Sequence, residues 1–423
     1  MVTVLVCFAV LLIVGVPIAF GLGLAGIGYI LSSTSLPLLV AFQRMIASMD
    51  SFPFMAIPFF MLAGNLMYAG GLADRIVELS RCMVGHFRGG LANVSIVANM
   101  FFGGVSGSSV ADASALGSIL IPAMVKEGYS PGFAATINAT ASTVGIIIPP
   151  SIPMILVGVA TGMSIRELFL GGLVPGILVG VGMLFITTFI SRRRHFPCFK
   201  RPGSKEVFRA VYRGVPAFVM VLIILGGIMG GIFTPTEASV VAVLYALLIG
   251  LLYRELTWRG FKKAMLDATI SSAVVMMVIS TAGLMTWLLA YSTIPQQLAA
   301  YLTRVIHSPT ELMFILGTAF LIAGTVLDVS PAVLLFGPVL LPVVQALGID
   351  PIFFGVVMVF GLAIGLFTPP VGTTMILSAY LADVSILEIS RQSIPYLALM
   401  IVLLFLLIVW SDLVLWAPTI LFR

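Results

Sequence analysis

The chain has 423 residues, of which 60% are apolar and 9% charged, against about 25% charged in soluble domains. With a mean hydropathy of +1.20 it has too little polar surface to cover a soluble globule, and its length fits roughly ten crossings of about 20 residues. The net charge of +5 sits in loops and reports topology, not nucleic-acid binding. The three cysteines, Cys7, Cys82 and Cys198, form no CxxC pair and point to no disulfide or metal centre.

In chain order, Val4-Leu5-Val6 opens an apolar stretch with no basic leader and no A-x-A site, the pattern of a first membrane helix and not of a cleaved signal. It runs to residue 31, and Gly15-Val16-Pro17 leaves open whether it is one helix or two. Further apolar segments lie at 53–68, 91–124, 132–163, 168–190, 215–233, 236–253, 267–291, 311–346, 352–382 and 394–417. Asp74, Arg75, Glu78, Arg81 and Arg88 mark an amphipathic, interfacial helix before 91–124. The segments 91–124 and 311–346 are each interrupted by polar residues into two arms too short to cross comfortably, as in a re-entrant hairpin. Arg192, Arg193, Arg194, Lys200, Arg201, Lys205, Arg209 and Arg213 crowd one loop, and Arg254, Arg259, Lys262 and Lys263 a second, which places both in the cytoplasm. No G-x-x-x-x-G-K-[ST] motif is present, so no P-loop ATP hydrolysis is expected.

A shift of 220 residues superposes the punctuation of the chain on itself. Gly104 falls on Gly324, Gly117 on Gly337, Pro122 on Pro342, Gly128 on Gly348, Pro131 on Pro351, Gly145 on Gly365, Pro149-Pro150 on Pro369-Pro370 and Pro175 on Pro395. Gly and Pro set backbone geometry, so the two halves share one backbone design. Five crossings separate the hairpins. An odd number inverts the second copy, and inverted repeats with broken helices are a secondary-transporter signature, with binding sites at the breaks.

Each half therefore offers a hairpin tip and a helix break: 103–109 with 145–151, and 323–328 with 365–370. A proline pair inside an apolar span leaves carbonyls unpaired, and in a membrane those need partners. Two matching breaks point to two sodium cages built mostly of main-chain oxygens. Gly103, Ser106, Gly145, Ile148 and Pro150 are the candidates for the first, and Thr325, Gly365, Thr368, Pro370 and Thr373 for the second. Helix N-termini at the tips favour an anionic substrate, with Ser108, Ser109, Asp112 and Thr374 as candidate contacts. Asp112 reads equally as a functional intramembrane carboxylate and as a helix cap. Asp328, before Ser330-Pro331, reads as an N-cap. No basic residue is obviously buried; Arg44, Arg304 and Arg391 lie at segment ends, so anion binding is expected to lean on dipoles and hydroxyls.

Four stretches, 56–65 (AIPFFMLAGN), 103–112 (GGVSGSSVAD), 121–129 (IPAMVKEGY) and 230–238 (GGIFTPTEA), resemble the large permease subunit of tripartite ATP-independent periplasmic (TRAP) transporters. The resemblance runs from end to end. It implies an all-α, polytopic, inverted-repeat elevator transporter in the bacterial inner membrane. It implies uptake of an organic acid anion, of the C4-dicarboxylate or sialic acid class, driven by two or more sodium ions and without an organic cofactor. Two partners are implied: a periplasmic substrate-binding protein, and a small membrane subunit expected as a separate polypeptide. The corresponding division is a scaffold and interfacial arm at 1–90, a first transport half at 91–165, and a scaffold with the basic loop and a second arm at 166–307. A second transport half at 308–384 and a C-terminal scaffold helix at 385–423 complete it.

Two other readings compete. Gly104-Val105-Ser106-Gly107 fits the G-x-S-G pattern of intramembrane serine proteases, but such chemistry needs a histidine beside the serine, and His86, His195 and His307 all lie in polar or interfacial segments. An ion channel would need a continuous polar stripe, which is absent outside the two breaks.

Overall fold

The computed structural model describes residues 2–33, 36–306 and 308–422, and their regular structure is entirely helical. The first apolar stretch is two helices, α1 (Val2–Ile13) and α2 (Ile18–Ser33). Gly15 turns the chain at φ +88° between them, a conformation open to glycine, and Pro17 has no N–H with which to continue a helix. Next come α3 (Leu39–Met49), a 3₁₀ turn (Phe52–Met55) and α4 (Ala56–Ala69). Helix α5 (Leu72–Val84) is the amphipathic arm: it buries Leu72, Ile76 and Leu79 and exposes Asp74 and Arg81.

The first hairpin is α6 (Gly90–Ser106) and α7 (Ser109–Lys126). The broken helix that follows consists of α8 (Pro131–Ala141), a 3₁₀ turn (Ser142–Ile146) and α9 (Ile152–Thr161). Four long helices come next: α10 (Ile165–Arg193), α11 (Ser204–Met229), α12 (Pro235–Leu252) and α13 (Trp258–Tyr291). Thr234 and Glu237 start α12 with a reciprocal capping box. The short, amphipathic α14 (Ile294–Val305) leads to the second hairpin, α15 (Pro309–Gly324) and α16 (Val329–Ala346). The second broken helix is α17 (Pro351–Gly365) and α18 (Thr373–Ala382), and α19 (Ile386–Val409) and α20 (Asp412–Phe422) close the chain.

Eight helices among the described residues are long and apolar enough to cross a membrane, and they include α7 and α16 at 18 residues each, so only the first arm of each hairpin, α6 and α15, is as short as the sequence suggests. The repeat is visible in the backbone. Both Pro149-Pro150 and Pro369-Pro370 are cis, and Gly128 and Gly348 both take positive φ after a hairpin.

The helices pack in two groups. In one, α13 lies against α2, α3 and α4, α4 against α12, and α11 against α5 and α12. In the other, the hairpins surround the broken helices, α8 crosses α18, and α15 packs on α17. Helices α10, α19 and α20, expected with the scaffold, pack on this second group, through α6, α8, α9 and α17. The groups meet where α16 contacts α13 and α14, and where α4 contacts α6.

Candidate functional site

The two broken helices cross at the centre of the second group, where side chains join the halves. Asn138 Nδ2 donates to Ser378 Oγ at 2.9 Å and to Ala113 O at 3.0 Å, and Thr374 Oγ1 donates to Ala139 O at 3.1 Å. In hydrocarbon a polar side chain needs such partners.

Each hairpin tip is stitched to the break of its own half. Ile152 N donates to Gly107 O at 3.3 Å, and Val371 N to Thr325 O at 3.1 Å. The approach is close enough to demand glycine. A Cβ at Gly103 would meet the Cα of Gly145, and one at Gly365 would meet the carbonyl of Gly324. Gly107 reverses the first tip at φ +61°.

At the first tip Ser106 Oγ donates to Asp112 Oδ1. Asp112 is fully buried, and its Oδ2 has no hydrogen-bond partner. That oxygen faces the backbone of Gly145 and lies 3.1 Å from where a Cβ on Gly103 would stand. Ser108, not Asp112, is the N-cap of α7, its Oγ accepting from Ala111 N at 3.4 Å. A buried carboxylate oxygen without a partner is costly unless a cation or proton accompanies it.

The breaks supply neutral oxygens. Among the described residues the carbonyls of Ile148 and Pro150 accept no hydrogen bond, and neither do those of Thr368 and Pro370, their counterparts at the 220-residue shift. Some of the other carbonyls at the breaks are used: Ser151 Oγ donates to Ile146 O at 2.6 Å, Thr368 N to Gly365 O at 3.0 Å and Thr374 Oγ1 to Leu366 O at 2.8 Å, whereas those of Gly145, Ile147, Pro149, Phe367 and Pro369 also accept none among the described residues. In the second half Thr325 Oγ1 donates to Ile322 O and Thr368 Oγ1 to Ile364 O, both at 2.7 Å. Thr373 Oγ1 is buried without a partner.

A cavity of about 860 Å³ lies between the two helix groups. Its walls include Ser106, Ser108 and Ser109 from the first tip, and Asp328 and Ser330 from the second. The opposite wall carries Asn65 and Tyr68 of α4 and Lys263, Asp267 and Ser271 of α13. The start of α7 and the start of α16 both reach the cavity, so two helix N-termini border it. Asp328 holds the N-cap position of α16, as expected, with its carboxylate facing the amides of Val329 and Ser330. Lys263 belongs to the basic stretch 254–263, so the part of the cavity that it lines lies toward the cytoplasmic end. Asp112 and Thr374 are enclosed and do not line the cavity.

One basic residue among the described residues, the exposed Lys263, lines the cavity. Its place in the sequence reads as topology, and only packing brings it to the cavity wall. No histidine lines the cavity among the described residues, and His307 lies outside them.

Residues 5–413 match the family model described as "Tripartite ATP-independent periplasmic transporter, DctM component". The chain belongs to this family. Among curated relatives, an isethionate TRAP permease protein, DctMQ, of Oleidesulfovibrio alaskensis is 39% identical, the alignment covering 94% of this chain and 63% of that one. A sialic acid TRAP large permease, SiaM, of Vibrio cholerae is 33% identical over 96% of both chains. The crystal structure of the Alcanivorax borkumensis YdaH transporter shares the fold, with a TM-score of 0.66 at 15% identity and 90% coverage of each chain. This DctM-family chain is thus a TRAP large permease, a multi-pass protein of the bacterial inner membrane and not an enzyme.

Proposed function

We propose that this permease takes up an organic acid anion, of the C4-dicarboxylate or sialic acid class, together with two or more sodium ions. The observation that carries this reading is the unpartnered Oδ2 of Asp112 between Gly103 and Gly145, in a half whose break also holds free carbonyls at Ile148 and Pro150. These oxygens and Ser106 suit a hard monovalent cation. Asp112 then serves as the charged wall of the first cage, coupled to substrate through the tip. The second cage uses Thr325, Gly365, Thr368, Pro370 and Thr373, whose free oxygens include the carbonyls at 368 and 370 and the Thr373 hydroxyl. Ser108 and Ser109, with the amides that open α7, offer donors to a carboxylate in the cavity. Thr374 acts on substrate through the crossing of α8 and α18.

The movement that fits is of elevator type. The hairpins and broken helices pack as one group, and the cavity lies between that group and α4 and α13. A periplasmic binding protein delivers the substrate, and a separate small membrane subunit braces the scaffold. The relative named DctMQ is longer than this chain, which covers 63% of it, and that accords with the second membrane subunit being fused there and separate here.

Proteoliposomes holding the chain, its small subunit and its binding protein provide the test. Accumulation of a radiolabelled acid from a panel including succinate, isethionate and N-acetylneuraminate is expected only with an inward sodium gradient, and to vary with more than the first power of sodium. Accumulation that ignores sodium would overturn the coupling, and equilibration without accumulation would favour a channel.

A further inference from the structure

Helix α11 has 26 residues, about 39 Å of helix against a hydrocarbon core of about 30 Å. Its excess length lies at the start, within the basic loop. One side of that start is packed: Ala210, Gly214, Ala217 and Met220 are buried, and Arg213 pairs with Glu78 at 3.4 Å. The other side carries Lys205, Phe208, Arg209 and Tyr212 at i, i+3, i+4 and i+7, one stripe of a helix. Phe208 is 75% exposed and Tyr212 74%. The stripe runs on into Val215 and Leu222, also exposed, so its lower part faces acyl chains.

The cations above it are unspent. Arg193 stacks on Phe189, and Arg194 donates to Gln392 at 2.9 Å, but Lys200, Arg201, Lys205 and Arg209 have no ion pair or ring partner among the described residues. The nearby Glu206 is turned to the backbone, accepting from Gly203 N at 3.1 Å. Retention of positive charge in the cytoplasm accounts for the number of cations. It does not account for two exposed aromatic rings interleaved with two free cations on the stripe that continues into lipid.

We propose that Lys205, Phe208, Arg209 and Tyr212 form a binding site for an anionic phospholipid headgroup of the cytoplasmic leaflet. The cations meet the phosphate, the rings lie at the glycerol level where aromatic side chains settle, and the apolar stripe below receives an acyl chain. The site is an open surface with no enclosing pocket, which suits a ligand held already in two dimensions and not a dissolved anion.

Native mass spectrometry of the purified full-length permease in neutral detergent, titrated with phosphatidylglycerol or phosphatidylcholine, reads the site directly. Phosphatidylglycerol is expected to bind in preference. The Lys205→Gln/Arg209→Gln variant should weaken its binding about thirty-fold, from about fivefold per cation near the surface, and Phe208→Ala/Tyr212→Ala should weaken both lipids. Arg192→Gln/Arg193→Gln removes the same charge from the same loop and should leave the affinity near its starting value. An equal loss in that control would reduce the effect to net charge and overturn the proposal, as would unchanged binding in Lys205→Gln/Arg209→Gln. Competition by soluble glycerol phosphate would make the ligand a dissolved phosphate. A second membrane polypeptide cross-linking to a photoreactive residue at position 212 would make the stripe a protein interface. Either outcome overturns the lipid assignment.

Discussion

Around the first proline pair every residue from Ala141 to Ser151 is buried, whereas Pro369, Pro370 and Val371 at the second pair are exposed. The backbone plan is the same, and the surroundings are opposite. Ile146, Ile152 and Pro153 of the first break line the cavity, and the second break does not border it. The carboxylates are exchanged too. Asp112 has Ala332 at its repeat position, and Asp328 has Ser108. One acid is sealed under its tip while the other faces the cavity. The backbone of the break is the same in both halves, and the packing around each copy differs.

The largest effect should come from the glycines that hold tip to break. Gly145→Ala drives a methyl into the Asp112 carboxylate and the Gly103 Cα, and Gly365→Ala drives one into the Gly324 backbone, so both should lower the melting temperature, at a cost of about 1–3 kcal/mol, and abolish uptake. If one half tolerates the methyl, the shared geometry of the two sites fails. Thiol labelling compares the breaks next. With Cys7, Cys82 and Cys198 replaced by serine, Val371→Cys should react with a polar maleimide and Ser151→Cys should not. Equal reactivity would erase the contrast.

Charge should separate the halves more finely. Asp112→Asn keeps the shape and removes the anion, so the sodium concentration for half-maximal uptake should rise about tenfold or more, as for loss of a charged ligand of about 1.5–3 kcal/mol. Asp328→Asn should change substrate affinity more than sodium affinity, and the reverse order would interchange their roles. The smallest effect belongs to Thr373→Val. Removing a buried hydroxyl without a partner costs the fold nothing, so the melting temperature should hold or rise slightly while sodium affinity falls by a few-fold. A drop in stability with sodium dependence unchanged would remove Thr373 from the cage.

Much of this was legible in the chain because Gly and Pro act locally. Gly103, Gly145 and the proline pairs mark breaks wherever they stand, and the 220-residue shift finds them twice. Helix α3 escaped because Gln43, Arg44 and Ser48 dilute its apolar face below the level of a crossing. The cavity wall of Asn65, Tyr68, Asp267 and Ser271 has no signature, since only the meeting of α4, α13 and the tips creates it. Asp112 was visible as a carboxylate at depth, but its partner Ser106 stands across a chain reversal where helical spacing gives no guide.

One last consequence concerns the segment that joins α10 to α11. Its first part is moored to the hairpin side: Pro197 O accepts from Gly90 N at 3.2 Å, and the Phe196 ring stacks on Tyr129 at 4.4 Å. Phe199 N also donates to Gly85 O at 3.0 Å, so the untied stretch runs from Phe199 to Ser204, where α11 begins, and reaches about 17 Å when drawn taut. The segment is thus a leash of fixed length. It bounds any shift of the hairpins relative to α11, and residues removed from it would tighten that bound without touching either proline break.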